Sequence, residues 1–222
     1  ITPVSCLFIK RNILFWILRF DLDGTLWDTV NLTVKGWNEV LSKYDFCKLS
    51  TRPLMESYMG KTLEQIAELH MPDLDYDTKM KIAKECDKNS YKVLNSSCGE
   101  IYPKVEETLN SMKDEYSFYC VSNSENGYVQ IFMEVSHLGY LFDDFEMAGR
   151  TGKCKGENIK MVAERNNLDM ACYVGDTVMD KEASAIANVP FIYAKYGFGD
   201  TDSEFVLEQF SDLPKVAEEI FQ

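Results

Sequence analysis

Residues 20–29 read FDLDGTLWDT and follow directly on the apolar run 13–18. A short, continuously apolar run marks a parallel strand covered on both faces. We read 13–20 as a buried strand whose carboxyl end delivers Asp21 and Asp23 to one turn. An Asp-Gly turn alone would account for such a pair, and so would a calcium loop. The calcium loop fails on counting: begun at Asp21, it puts Leu26 where its glycine belongs and Leu32 where its bidentate Glu belongs.

Working outward, comparable apolar runs lie at 118–121, 171–174 and 190–194. Helical spacing lies between them, with Ile159, Val162 and Ala163 at i, i+3 and i+4, and LPKVAEEIF forms a short helix near the C-terminus. Strands alternating with helices predict an α/β fold with a doubly wound, mostly parallel sheet. Residues 30–101 differ in character. Trp37, Val40, Leu41 and Tyr44 mark one helix face, and Thr62-Leu-Glu-Gln65 has the form of a capping box opening a second helix with Ile66 and Leu69. A third helix is expected over about 78–94, and no strand of comparable quality intervenes. The chain therefore divides into a core of residues 1–29 and 102–222 and an inserted all-helical domain of residues 30–101. The hinge is expected where the insertion leaves, at 27–31, and returns, near 99–103, with Trp27 packed beside it.

The 222 residues, 45% hydrophobic and 27% charged, suit a soluble globular protein with a sizeable core. Acidic residues outnumber basic ones by 36 to 23, for a net charge of −13. That balance argues against a nucleic-acid or anionic-membrane partner. A small anionic substrate stays admissible if a cation or lysine reverses the sign locally. Seven cysteines without a CxxC pair read as reduced thiols of a cytoplasmic protein. His70 and His137 are too few for a histidine metal site and read as core or surface residues. Lys10, Arg11 and Arg19 keep the N-terminal stretch short of the roughly 18 uncharged residues of a membrane span. No small-residue cleavage site precedes Asp21, so a secretory signal is not expected. Residues 1–12 receive no structural reading.

A second acidic pair follows in YVGDTVMD, residues 173–180, with Asp176 at the end of an apolar strand and Asp180 four residues on. In open α/β sheets ligands sit beyond the carboxyl ends of the strands. Asp21, Asp23, Asp176 and Asp180 are thus expected to converge at one edge. Carboxylates so gathered repel one another or take up protons unless a cation lies between them. Oxygen ligands without histidine or cysteine point to Mg²⁺ rather than zinc. Stabilisation of a helix N-terminus explains Asp176 or Asp180 singly, but not both pairs at strand ends. YCVSNSENG sets Ser122 and Asn123 after the strand 118–121, where a hydroxyl and backbone N–H groups could hold phosphate oxygens; the stretch also reads as a plain polar turn. GRTGKCKGENIK sets Lys155 just before a helix, against the helix dipole. A solvated lysine is the other reading there, and Lys153 is the alternative residue.

Taken in order, DLDGT, a Ser after a strand, a Lys and GDxxxD resemble the four motifs of the haloacid dehalogenase (HAD) superfamily, over the chain from about residue 13. The insertion after the first motif is similar to the family's C1 helical cap, and VPFIYAKYGFG, residues 189–199, resembles the phosphoglycolate phosphatase-like branch. The resemblance implies a HAD-like Rossmannoid core and a phosphatase. Asp21 would be the nucleophile that forms an aspartyl-phosphate, and Asp23 would protonate the leaving group and then deprotonate water. Mg²⁺ would be held by the Asp21 carboxylate, the Asp23 carbonyl and Asp176. Thr25, Ser122, Asn123 and Lys155 would hold the phosphate, with Asp180 supporting Lys155 or a metal-bound water. The implied substrate is a small phosphorylated metabolite, with phosphoglycolate the one the branch suggests. A phosphosugar mutase of the β-phosphoglucomutase type also needs the second Asp, and a catalytically silent binding domain is a third reading, opposed by the full motif set. Oligomeric state is not legible.

In the insertion, Arg52, Tyr58 and Lys61 could face the core across the hinge, and the turn at Gly60 could approach the site. Two positions depart from the family's habit. Gly156 stands where the branch often has Pro. Arg19, two before Asp21, stands where an apolar residue is usual. A buried unpaired guanidinium is costly, so a carboxylate partner or a local irregularity is expected there.

Overall fold

The computed structural model describes residues 16–167 and 171–221. The expected start of the first strand, 13–15, and the N-terminal readings on residues 1–12 lie outside the described residues. The apolar run is seen as β1 (Trp16–Phe20), which leads through β2 (Trp27–Asp28) into four helices, α1 (Val30–Leu41), α2 (Arg52–Glu56), α3 (Leu63–His70) and α4 (Tyr76–Ser96). The chain returns through β3 (Glu100–Ile101) and continues as α5 (Val105–Met112), β4 (Tyr116–Ser122), α6 (Tyr128–Val135), β5 (Phe142–Met147) and α7 (Ala148–Thr151). It ends with α8 (Lys155–Asn166), β6 (Ala171–Gly175), α9 (Val178–Ala187), β7 (Phe191–Ala194), β8 (Phe205–Leu207) and α10 (Leu213–Phe221).

Six strands form one sheet in the order β5-β4-β1-β6-β7-β8, with every neighbouring pair parallel. Side chains alternate across a strand, so β1 feeds two cores. Leu18 and Phe20 join Phe118, Cys120, Leu109, Phe132 and Val216 on one face. Ile17 joins Tyr119, Val121 and Tyr173 on the other, beneath Ile159 and Val162 of α8 and Ala183 of α9. Helices α1–α4 enclose a third cluster of their own, including Val30, Trp37, Leu41, Met55, Ala67 and Ile82. Its tightness rests on Gly36: a Cβ there would stand 2.6 Å from the Ser90 Cα, so α1 and α4 meet backbone to backbone. Entry to and exit from this helical segment are joined by the antiparallel pair β2–β3, with Trp27 opposite Ile101. Trp27 is buried and lies edge-on to Tyr128 and Phe132.

Several expectations change in detail. Tyr44 lies beyond the end of α1, and Leu69 is exposed because α3 turns Leu63, Ala67 and His70 inward instead. His70 is a core histidine, with Nε2 at 3.0 Å from the Lys48 carbonyl. The six cysteines among the described residues are free thiols. No helix among the described residues is long and apolar enough to cross a membrane.

Arg19 is the clearest correction. It is buried on the α8–α9 side of β1, between Tyr119 and Tyr173 in register, and its Nε has no hydrogen-bond partner. Among the described residues no carboxylate forms an ion pair with it. Burial lowers its pKa to about 10, against the opposing influence of Cys172, Tyr119 and Tyr173. The ladder of β1 runs unbroken through Arg19; the irregularity sits one strand pair away, between Phe118 and Tyr119 in the β4–β5 pairing. Arg19→Met removes a desolvated charge while keeping most of the volume. We expect it to raise the urea midpoint by the equivalent of about 1–3 kcal/mol; a fall of that size would show that the guanidinium is satisfied.

Candidate active site

Beside β1 the strand order reverses, since the chain builds β4 and β5 to one side and β6, β7 and β8 to the other. Such a reversal opens a crevice at the carboxyl ends of the strands. Asp21 follows β1, Ser122 ends β4 and Asp176 follows β6, so the three meet there. Lys155 does not precede α8 but is its first residue, with Cys154 as N-cap. Its ammonium is 2.9 Å from Asp21 Oδ2 and 2.6 Å from Asp180 Oδ1, and all three side chains are buried. Lys153 is exposed and takes no part.

Asp180 is fully committed. Its Oδ2 accepts from the Thr177 N–H at 3.0 Å and the Thr177 hydroxyl at 2.6 Å, closing the N-terminus of α9, while Oδ1 holds Lys155. Asp176 is not: Oδ2 accepts from the Phe198 N–H at 2.8 Å, but Oδ1 is buried without a partner. Asp21, Asp176 and Asp180 each place an oxygen within 4.8 Å of the others. Burial pushes Asp21 up to about 7, with Lys155 opposing and Asp180 reinforcing the shift. Burial, then Asp180 and Asp21, holds Asp176 well above the usual carboxylate range. Burial disfavours the Lys155 ammonium, yet Asp180 and Asp21 more than offset it and raise its pKa.

Two of the three buried carboxylates thus share one ammonium, and the third, Asp176, has an oxygen that lacks any donor. The donor set is all oxygen, which suits a hard divalent cation such as Mg²⁺. Gly24 makes the close approach possible. Its φ of +80° favours glycine, and a Cβ there would lie 2.1 Å from Asp176 Oδ2.

Asp23 stands apart from that trio. It lines a cavity of about 100 Å³ together with Asp21, Ser122, Asn123 and Lys155. Its Oδ1 accepts from the Thr29 hydroxyl at 2.7 Å and the Tyr128 hydroxyl at 2.8 Å. Burial pushes its pKa up to about 6, and those two hydrogen bonds oppose the rise. Neither Thr29 nor Tyr128 figures in the sequence reading. Tyr128 opens α6 just after the Asn126-Gly127 turn, but no spacing rule ties it to a carboxylate 105 residues away.

The remaining candidates divide. Ser122 accepts from the Ser124 N–H at 3.2 Å and faces the cavity. Asn123 faces it too, but its amide donates to the Gly60 carbonyl at 2.8 Å, so the turn at Gly60 does reach the site. Thr25 is buried with its hydroxyl unpartnered and does not line the cavity; its carbonyl accepts from Tyr196 at 2.8 Å. Tyr58 and Lys61 line the cavity. Arg52 does not, being bound to Asp28 at 2.5 Å and Glu56 at 2.7 Å. Asp87, Ser90 and Tyr91 of α4 and Glu125 after β4 also line it, and the sequence reading missed them.

The crevice, the acidic trio and the buried lysine make this strand-end site of an α/β fold the candidate active site. Residues 18–194 match the family model for haloacid dehalogenase-like hydrolases. The chain belongs to that family and is an enzyme of its phosphatase type. A phosphoglycolate phosphatase of Rhodobacter capsulatus is 24% identical over 213 residues, covering 90% of this chain and 96% of the relative. One of Mannheimia succiniciproducens is 20% identical over 232 residues, covering 92% and 99%. The crystal structure of a predicted phosphoglycolate phosphatase from Haemophilus somnus shares the fold, with a TM-score of 0.80 at 19% identity over 91% of this chain and 98% of that one.

Gly24→Ala tests the packing of the first loop on Asp176. Displacing the loop by an ångström should cost about 10²-fold in kcat, with the far-UV circular dichroism unchanged. A parental kcat would show that the loop can give way without consequence.

Proposed function

We propose that this hydrolase is a Mg²⁺-dependent phosphomonoesterase that acts on a small phosphorylated metabolite through an aspartyl-phosphate on Asp21. The observation that carries the reading is the placement of Asp21: a buried carboxylate at a strand end, fixed at 2.9 Å by Lys155 and opening, beside Asp23, into the cavity. A carboxylate nucleophile splits one hard displacement into two easier ones.

In this reading an Asp21 oxygen attacks phosphorus while the Lys155 ammonium and the Ser122 hydroxyl take up charge that spreads over the equatorial oxygens. Asp23, its pKa raised to about 6 by burial, gives a proton to the leaving alkoxide and later removes one from the water that attacks the phosphoenzyme. Thr29 and Tyr128 aim its carboxyl. Asp180 keeps Lys155 on Asp21, and Thr25 holds the first loop. Asn123, bonded to Gly60, ties the phosphate end to the helical segment, which we read as a cap (30–101) over the core (1–29 and 102–222). Mg²⁺, held by the Asp21 and Asp176 carboxylates and the Asp23 backbone carbonyl, would neutralise charge between the anionic nucleophile and an anionic ester.

Phosphoglycolate, named for two relatives, is the family-derived candidate substrate. The free thiols of the six cysteines among the described residues and the net charge of −13 support a cytoplasmic setting without nucleic-acid or membrane partners.

A panel of phosphate esters, run with Mg²⁺ and with chelator beside Asp21→Asn, tests the reading. We expect release of inorganic phosphate that falls by more than about 10³-fold on chelation or in the variant. Undiminished turnover in either arm would contradict it. Formation of a sugar bisphosphate in place of free phosphate would mark a phosphosugar mutase, and no turnover on any ester would mark a silent binding domain.

A further inference from the structure

The cavity shared by Asp21 and Asp23 has a second wall, built from the helical segment and the loop after β4. On α4, Asp87, Ser90 and Tyr91 fall at i, i+3 and i+4 and face it together, and Glu125 completes that side. These carboxylates are not a separate acidic cluster; they line the space that a leaving group must occupy once its phosphate is on Asp21. Among the described residues neither Asp87 nor Glu125 forms an ion pair. Burial, then Glu125, pushes the Asp87 carboxyl up to about 7, with Tyr91 opposing. In the same wall the Ser124 hydroxyl is shielded from solvent and has no hydrogen-bond partner.

Of the nearby cations Lys155 and Arg52 are held by carboxylates, and Lys61 lines the cavity with a backbone carbonyl as its partner. Lys155 belongs to Asp21 and Asp180, Lys61 donates to the Ser57 carbonyl at 2.8 Å, and Arg52 is bound to Asp28 and Glu56 outside the cavity. Trp37, Met59, Leu63 and Ile66 add apolar surface to the wall, and Thr33 and Tyr58 lie among them. On the α4 side a leaving group that carries a carboxylate would meet the like charges of Asp87 and Glu125, while the Lys61 ammonium is turned to the Ser57 carbonyl. One that carries an ammonium would meet two carboxylates that form no ion pair among the described residues.

We propose that the enzyme acts on phosphomonoesters whose leaving group bears an ammonium, amino-alcohol phosphates, with Asp87 and Glu125 receiving the ammonium. This rests on the phosphomonoesterase reading above and departs from the substrate named for the relatives. A cavity of about 100 Å³ is small beside the roughly 300–1,000 Å³ of drug-sized ligand sites, in keeping with a short ester.

The test compares kcat/KM of the full chain with Mg²⁺ on O-phosphoethanolamine, phosphocholine, glycerol phosphate and phosphoglycolate, with p-nitrophenyl phosphate as the general probe. We expect the ammonium esters to exceed phosphoglycolate by about tenfold or more, and Asp87→Asn to shrink that ratio by about tenfold. The ratio is taken within one preparation, so any loss of folded protein cancels. Glu125→Gln should move it the same way. Turnover of p-nitrophenyl phosphate with phosphoglycolate ahead of the ammonium esters, or with a ratio unchanged in Asp87→Asn, overturns the inference alone. No turnover of any ester overturns the phosphomonoesterase reading and the inference with it.

Discussion

One ammonium, Lys155, lies buried between two carboxylates, at 2.9 Å from Asp21 and 2.6 Å from Asp180. A buried charge cluster of this kind seldom adds net stability, because desolvation consumes most of the Coulombic gain. Its value is positional. Lys155 starts α8, Asp180 lies in the first turn of α9, and Asp21 follows β1. The pair of contacts therefore pins two helix starts to the end of the central strand. The sheet order supplies the crevice in which this can happen, and Thr177 supplies the hydrogen bonds that keep Asp180 from turning away. Asp176, with one oxygen still unpartnered, is the member of the group left free to bind something else.

A second, separate layer of control surrounds Asp23. Its two hydroxyl donors come from opposite sides of the β2–β3 junction: Thr29 is the N-cap residue of α1, and Tyr128 begins α6 in the sheet-bearing part of the chain. Asp28 and Arg52 bridge the same junction, and Asn123 reaches across to Gly60. The proton-carrying carboxylate that we propose is thus held by groups that report on how the helical segment sits.

The central strands, the first acidic turn and GDTVMD were legible because they join two strong local signals, apolar continuity and charge at a strand end. Three of the four helices of residues 30–101 were legible from periodicity and from the Thr62 capping box, which the structure contains. β5 was not, because PheAspAspPheGluMet breaks the apolar rule. Two of its three acidic side chains are carried by Arg165, which pairs with Asp144 at 2.5 Å and Glu146 at 2.6 Å, and Arg150 also pairs with Glu146. Short elements such as α2 and β8 offer too few residues for any period to show. Tyr128, Asp87 and Glu125 escaped for another reason: their relevance comes from tertiary proximity, and each looks like an ordinary helix or loop residue in one dimension. Arg19 shows the converse. Its rule-breaking was visible in the sequence, but its surroundings, two tyrosines and a cysteine rather than a carboxylate, were set by the neighbouring strands.

In the proposed mechanism phosphoryl transfer passes through Asp21 rather than directly to water. The most direct measurement is the stereochemical course at phosphorus, using a phosphorothioate ester made chiral with one oxygen isotope and hydrolysed in water enriched in another. Two successive in-line displacements return the original configuration. Overall retention is the predicted result, and inversion, the mark of a single attack by water, would contradict it.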